Sequence, residues 1–151
     1  MSAVQKLDGW GLHFDKPGDE APRLPADITD VSSDDLGKLF TEFTAWADYC
    51  ASQLVVAQLE ERSALKRLEF QENKMLITRM GSQAKGERIT TVKAEISIHP
   101  TIVELSDEHE EKYAYYKMLS MLQTNLERDL TLVSREITRR SNEHRSLRKD
   151  Y

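Results

Sequence analysis

The chain has 151 residues, 39% of them hydrophobic and 31% charged, with a net charge of −5. That balance describes a helix-rich soluble domain, with no run of 18 apolar residues to span a membrane and no basic-then-apolar secretory leader. Two tryptophans and four phenylalanines are few for a compact core of this length, which favours an elongated protein whose core lies partly between subunits.

Residues 1–31 hold three of the four prolines, Pro17, Pro22 and Pro25, together with Gly9, Gly11 and Gly18. Turn punctuation without a sustained period predicts an extended or partly disordered arm. Within it Trp10, Leu12 and Phe14 alternate, as a short strand or a docking peptide would.

A long helix is predicted over 33–80. Ser32 is placed to cap it, Asp35 takes the capping-box position, and Val31 and Leu36 take the two hydrophobic-staple positions. Leu36, Phe40, Phe43, Ala47, Cys50, Leu54, Ala57, Glu61, Ala64, Leu68, Gln71 and Met75 follow one another in steps of three and four, the a/d signature of a helix packed along its whole length. At about 1.5 Å per residue such a helix is roughly 60 Å long and needs a second long helix to cover its stripe. The lone Cys50 lies in this seam and reads as a small core residue in a reducing compartment. Gly81 is expected to stop the helix in the left-handed conformation.

The connector 81–99 mixes a glycine turn with β-branched residues. A helical turn near 88–97 is predicted, with a short strand as the rival reading. Pro100 restarts the chain as a second long helix over 100–140. Its seam runs through Ile102, Leu105, His109, Lys112, Tyr116, Leu119, Gln123, Leu126, Leu130, Val133 and Ile137. The fold class is therefore all-α: a long helical hairpin assembling through coiled-coil-like seams, with 32–151 as a single helical domain. Leu119, Leu126, Leu130, Val133 and Ile137 are the candidate oligomer interface. Beyond Arg139 the apolar seam is lost except for Leu147, which predicts that the end of the basic tail over 135–151 is a solvated helix or frayed.

Charge is unevenly distributed. Residues 62–93 carry eight bases against three acids, in a chain that is otherwise acidic until its tail. Screening over about 8 to 10 Å lets such a block attract a polyanion independently of distant acids. Lys66, Arg67, Lys74, Arg79, Lys85, Arg88 and Lys93 are the candidate nucleic-acid-binding residues. Phe70 is the only ring in the block, which argues against recognition of particular bases by stacking. There is no CxxC, HExxH, P-loop, GxGxxG or GxSxG, and the four histidines are widely spread. His109 sits among Asp107, Glu108, Glu110 and Glu111, but consecutive acids on a helix point in different directions and read as a solvated face. No catalytic residue, metal or cofactor is expected, and the chain does not read as an enzyme.

The order of features resembles the bacteriophage UvsY-like recombination mediator family. Phe43-Thr44-Ala45-Trp46 leads into a long helix whose second half contains Ala64-Leu65-Lys66-Arg67-Leu68. A glycine-containing basic turn over 80–86 follows, then Lys93 and Glu95, paired Tyr115 and Tyr116, and a closing Ser134-Arg135 step. The resemblance covers about residues 40–144 and leaves the arm without a counterpart. It implies a non-enzymatic cytoplasmic factor, in the host-cell cytoplasm if phage-encoded, that forms ring-like homo-oligomers. Such a factor binds single-stranded DNA, with Lys66 and Arg67 as the matching basic pair, and helps load a RecA-like recombinase onto DNA occupied by a single-stranded-DNA-binding protein. Two other readings fit the seams: a coiled-coil structural or scaffolding protein of a virion, and a prefoldin-like chaperone if the connector forms strands. No membrane partner is expected.

Overall fold

A computed structural model describes residues 2–81 and 88–149. Its elements are α1 (Ala3–Gly9), a 3-10 turn (Ile28–Asp30), α2 (Ser33–Gly81), α3 (Ile89–Ser97) and α4 (Pro100–Lys149). The fold is an all-α hairpin in which α2 and α4 pack together, and contacts group the chain into two compact units. The first combines Met1–Gln53 with Ser120–Tyr151, and the second is Leu54–Leu119.

The predicted start of α2 is built from the expected chemistry. The Asp35 backbone N–H donates to Ser32 Oγ at 3.2 Å, satisfying one of the donors that a helix start leaves open. Val31 packs on the cluster that contains Leu36, as a hydrophobic staple does. The other end differs. Gly81 is still part of α2 and lacks a positive φ, and Gly11 is the one described glycine with positive φ, at 74°. The left-handed cap therefore closes α1, where the Gly11 N–H donates to Asp8 O and the Leu12 N–H to Leu7 O, each at 3.0 Å. This pair of bonds is a Schellman motif.

The arm is accordingly not extended throughout. Ser2 and Gln5 form a reciprocal capping box that nucleates α1, and Leu12 and Phe14 lie in irregular chain rather than a strand. Asp27 Oδ1 accepts from the Thr29 N–H and hydroxyl, which sets the 3-10 turn. Leu24 and Ile28 pack on the core of the first unit. Short-range capping and the packing of Leu24, Ile28 and Val31 order a segment whose proline and glycine content alone suggested looseness.

In the first unit Leu36, Phe43 and Val133 are the buried centre, with Leu39, Leu126, Leu130 and Ile137 packed around them. Of the candidate oligomer-interface residues, Val133 is thus buried within its own chain and Leu126, Leu130 and Ile137 are partly buried against the same cluster, while Leu119 belongs to the second unit. Phe40 is half-open to solvent although it belongs to the predicted seam. In the second unit Ala57, Ala64, Val92 and Ile102 are buried. Alanines at the facing positions of α2 let the two backbones approach closely.

The helical alternative for the connector holds over Ile89–Ser97, with Val92 turned inward and Ile89 and Ile98 outward. Helix α4 continues nine residues beyond the predicted limit, to Lys149. Side-chain pairs along one face, Arg139 with Glu136 and Glu143, support that continuation where the apolar seam has ended.

Cys50 is buried, and that burial, with Glu127 as a lesser influence, pushes its thiol above the ordinary range. Thiolate is the reactive form. The native protein should therefore react with a maleimide far more slowly than the urea-unfolded chain, as followed by mass spectrometry. Equal rates would show that Cys50 is open to solvent.

Candidate nucleic-acid interface

On α2 the residues Val55, Leu59, Arg62, Lys66, Phe70, Asn73 and Ile77 succeed one another by three or four, which places them on one helix face. It lies opposite the buried Ala57 and Ala64 and belongs entirely to the second unit. Its large side chains are not covered: Phe70 is 69% exposed and Ile77 74%. Arg62 and Lys66 stand between the apolar residues, and neither forms an ion pair among the described residues. The aromatic ring that looked isolated in sequence is thus one helical turn from Lys66 and largely presented outward.

Arg67 is rotated from Lys66 by about 100° and has a different role. Its Nη2 donates to Glu108 Oε1 of α4 at 2.5 Å. Two further pairs join the same helices. His109 Nε2 and Glu61 Oε1 are 2.7 Å apart with both side chains largely buried, and Lys112 Nζ donates to Glu60 Oε2 at 3.2 Å. Glu61, His109 and Lys112, which interrupt the apolar seams in sequence, therefore meet one another or a neighbour across α2 and α4. Polar pairs at seam positions select one register, because a slip leaves a half-buried carboxylate without its partner. The exposed Arg67–Glu108 pair adds little stability, about 0–1 kcal/mol, but it takes Arg67 away from a polyanion.

The remaining candidate cations separate into two groups. Lys74 and Arg79 line a cleft between α2 and α3, where Arg79 Nη2 donates to Glu95 Oε2 at 2.5 Å. Arg88 is the exposed N-cap residue of α3, and Lys93 borders a second cavity with Glu72 and Leu76. Lys85 lies outside the described residues. Sequence reasoning passed over Arg62 and Phe70 as site residues, although their spacing of four on either side of Lys66 was present to be read. Among the described residues no group of three or more His, Cys, Asp or Glu side chains is arranged to hold a metal ion, and no helix is long and apolar enough to cross a membrane.

This arrangement can bind a flexible polyanion. Arg62 and Lys66 offer charge to phosphates, and Phe70 offers a π-face on which a base stacks regardless of its identity. No protein-family model matches this chain, and neither a curated protein nor a solved structure is found to be similar to it.

Proposed function

We propose that this protein is a non-enzymatic, single-stranded-DNA-binding accessory factor of the recombination-mediator type, working as a homo-oligomer that helps load a RecA-like recombinase in the presence of a single-stranded-DNA-binding protein. The observation that carries the DNA-binding part is the outer face of α2, where Arg62 and Lys66 stand free of ion pairs among the described residues beside the exposed Phe70. A face of this composition suits single strands better than duplex, since a duplex keeps its bases away from an aromatic ring. Self-assembly fits the large apolar side chains left outside the first unit's core on α4, namely Met121, Leu122 and Leu132. The same residues suit the structural or scaffolding alternative, for which the cations of α2 are incidental. The chaperone reading is weaker, because the connector strands it requires are replaced by α3 over Ile89–Ser97.

Fluorescence anisotropy of a labelled single-stranded oligonucleotide over a series of salt concentrations tests the proposal. Each phosphate contact contributes about 0.7 to the slope of log affinity against log salt, so the Arg62→Ala, Lys66→Ala double variant should lower that slope by about 1.4 per subunit bound. Arg67→Ala should leave the slope nearly unchanged, since its charge is already met by Glu108. Phe70→Ala should weaken binding by about 1–3 kcal/mol with the slope preserved, because stacking releases no counterions. If the native protein shows no salt-dependent binding, the proposal fails. If Arg67→Ala lowers the slope as much as Lys66→Ala does, the strand runs along the α4 side instead.

A further inference from the structure

The cleft between the end of α2 and α3 has no part in the outer face just described, yet its lining is chemically one-sided. It encloses about 270 Å³, below the usual range for drug-sized ligands and suited to a smaller fragment. Gln71, Lys74 and Arg79 from α2 meet His99 from the residue before α4 around it, and Met75 and Ile96 supply apolar wall. Lys74 has no ion pair among the described residues. Glu95 is the single carboxylate of the lining, and Arg79 already engages it at 2.5 Å.

The ring of His99 adds a donor by elimination. Its Nδ1 accepts the Thr101 backbone N–H at 3.2 Å, in the manner of a helix cap, so that nitrogen carries no proton. A neutral imidazole then holds its proton on Nε2, which is left as a donor. The cleft therefore collects an ammonium, a guanidinium, an imidazole N–H and an amide, with its one acid spent on the guanidinium.

From this we infer that the cleft is a phosphoryl-binding site that takes one sugar-phosphate unit of a nucleotide. The phosphoryl oxygens accept from Lys74, from His99 Nε2 and from the Gln71 amide, and the deoxyribose lies against Met75 and Ile96. Arg79, held by Glu95, contributes a fixed and partly neutralised charge. The inference builds on the single-strand reading, in which the cleft would hold either the 5′-terminal phosphate or an internal phosphodiester. Glu95 lowers the affinity, because its carboxylate is the one negative charge of the lining and lies beside the anion.

The test uses the full-length protein and three probes: deoxyadenosine monophosphate, a 5′-phosphorylated single-stranded oligonucleotide, and the same oligonucleotide without the phosphate. Millimolar deoxyadenosine monophosphate should shift the His99 ring resonances in NMR spectra while leaving those of His144 in place. Lys74→Gln, an exposed substitution on a helix, should abolish the response, and Glu95→Gln should strengthen it several-fold. A phosphorylated strand that binds several-fold tighter than the plain one, with the difference lost in Lys74→Gln, identifies the terminal phosphate as the source. Equal binding of both strands, weakened equally by Lys74→Gln, identifies an internal phosphodiester. A His99 resonance unmoved by the mononucleotide and by both strands overturns the inference, as does a Glu95→Gln variant that binds no more tightly than the native protein. A mononucleotide response that persists while the Arg62→Ala, Lys66→Ala variant keeps the native salt slope would remove the outer-face reading and leave the cleft standing.

Discussion

Phe43→Ala should destabilise the first unit by about 3–5 kcal/mol, the range for emptying a fully enclosed aromatic site. Phe43 is 0% exposed and packs with Leu36 and Val133, and Leu126, Leu130 and Ile137 close around this group. These neighbours, with Leu24, Ile28 and Val31, come from two helices and the arm, so they cannot all collapse inward without moving backbone. Phe40→Ala is the matched control: the same ring is deleted one turn earlier on α2, where the side chain is 36% exposed. It should cost well under half as much, since the lost burial is smaller and water already reaches the site. Urea unfolding followed by circular dichroism measures both. Equal losses for the two variants would mean that the ring of Phe43 is not the centre of this core.

The second large effect concerns the arm, and it is expected to depend on pH. Glu136 is 7% exposed and accepts from Arg139 at 2.9 and 2.7 Å and from Arg140 at 2.9 Å. The guanidinium of Arg140 also donates to Ile28 O and Thr29 O, each at 3.3 Å, and to Ser33 Oγ at 3.2 Å. One arginine thus ties the arm, the start of α2 and α4 together. Hydrogen bonds from Arg139 and then Arg140 hold the Glu136 carboxyl down at about 2.

A carboxylate lowered in the folded state contributes stability that is complete above its unfolded value, about 4.3. That contribution is lost as pH falls through the folded value. Thermal midpoints of the native protein should therefore decline between about pH 4.3 and pH 2 by more than those of Glu136→Gln. Indistinguishable acid limbs would show that Glu136 is not the group responsible. Arg140→Ala should release the two carbonyls and raise hydrogen exchange over 24–31. Deleting residues 1–20 should change stability little, whereas deleting 1–31 removes Leu24, Ile28 and Val31 from the core cluster. Half-burial of three such side chains is worth about 3 kcal/mol in all, from about 1.5–3 kcal/mol for each one fully buried. A deletion of 1–31 as stable as the full chain would place the arm outside the core.

Legibility followed range. The start of α2, the Ser32 cap, the break at Pro100 and the helical choice for Ile89–Ser97 were readable because each depends on residues within about four positions of one another. The two seams were readable for the same reason. Periodicity states which side chains share a face, and a face of leucine and alanine must be covered by something. What covers it is a tertiary matter. Leu126, Leu130 and Ile137 pack on the Leu36, Phe43 and Val133 cluster of their own chain, and from the sequence a second copy would have served as well. Lys66 and Arg67 are neighbours in sequence with the same charge. Only the arrival of Glu108 from α4 separates an occupied cation from an open one. Glu61 and His109 looked like interruptions of apolar stripes until the packing of α2 on α4 brought them within 2.7 Å. The arm shows the limit most clearly, since its prolines and glycines report local stiffness and turns. The bonds that hold it come from Arg140, more than 100 residues away in the chain. Local preference determined where the helices are, and the pairing of distant side chains decided which of their charges and apolar groups remain available to a partner.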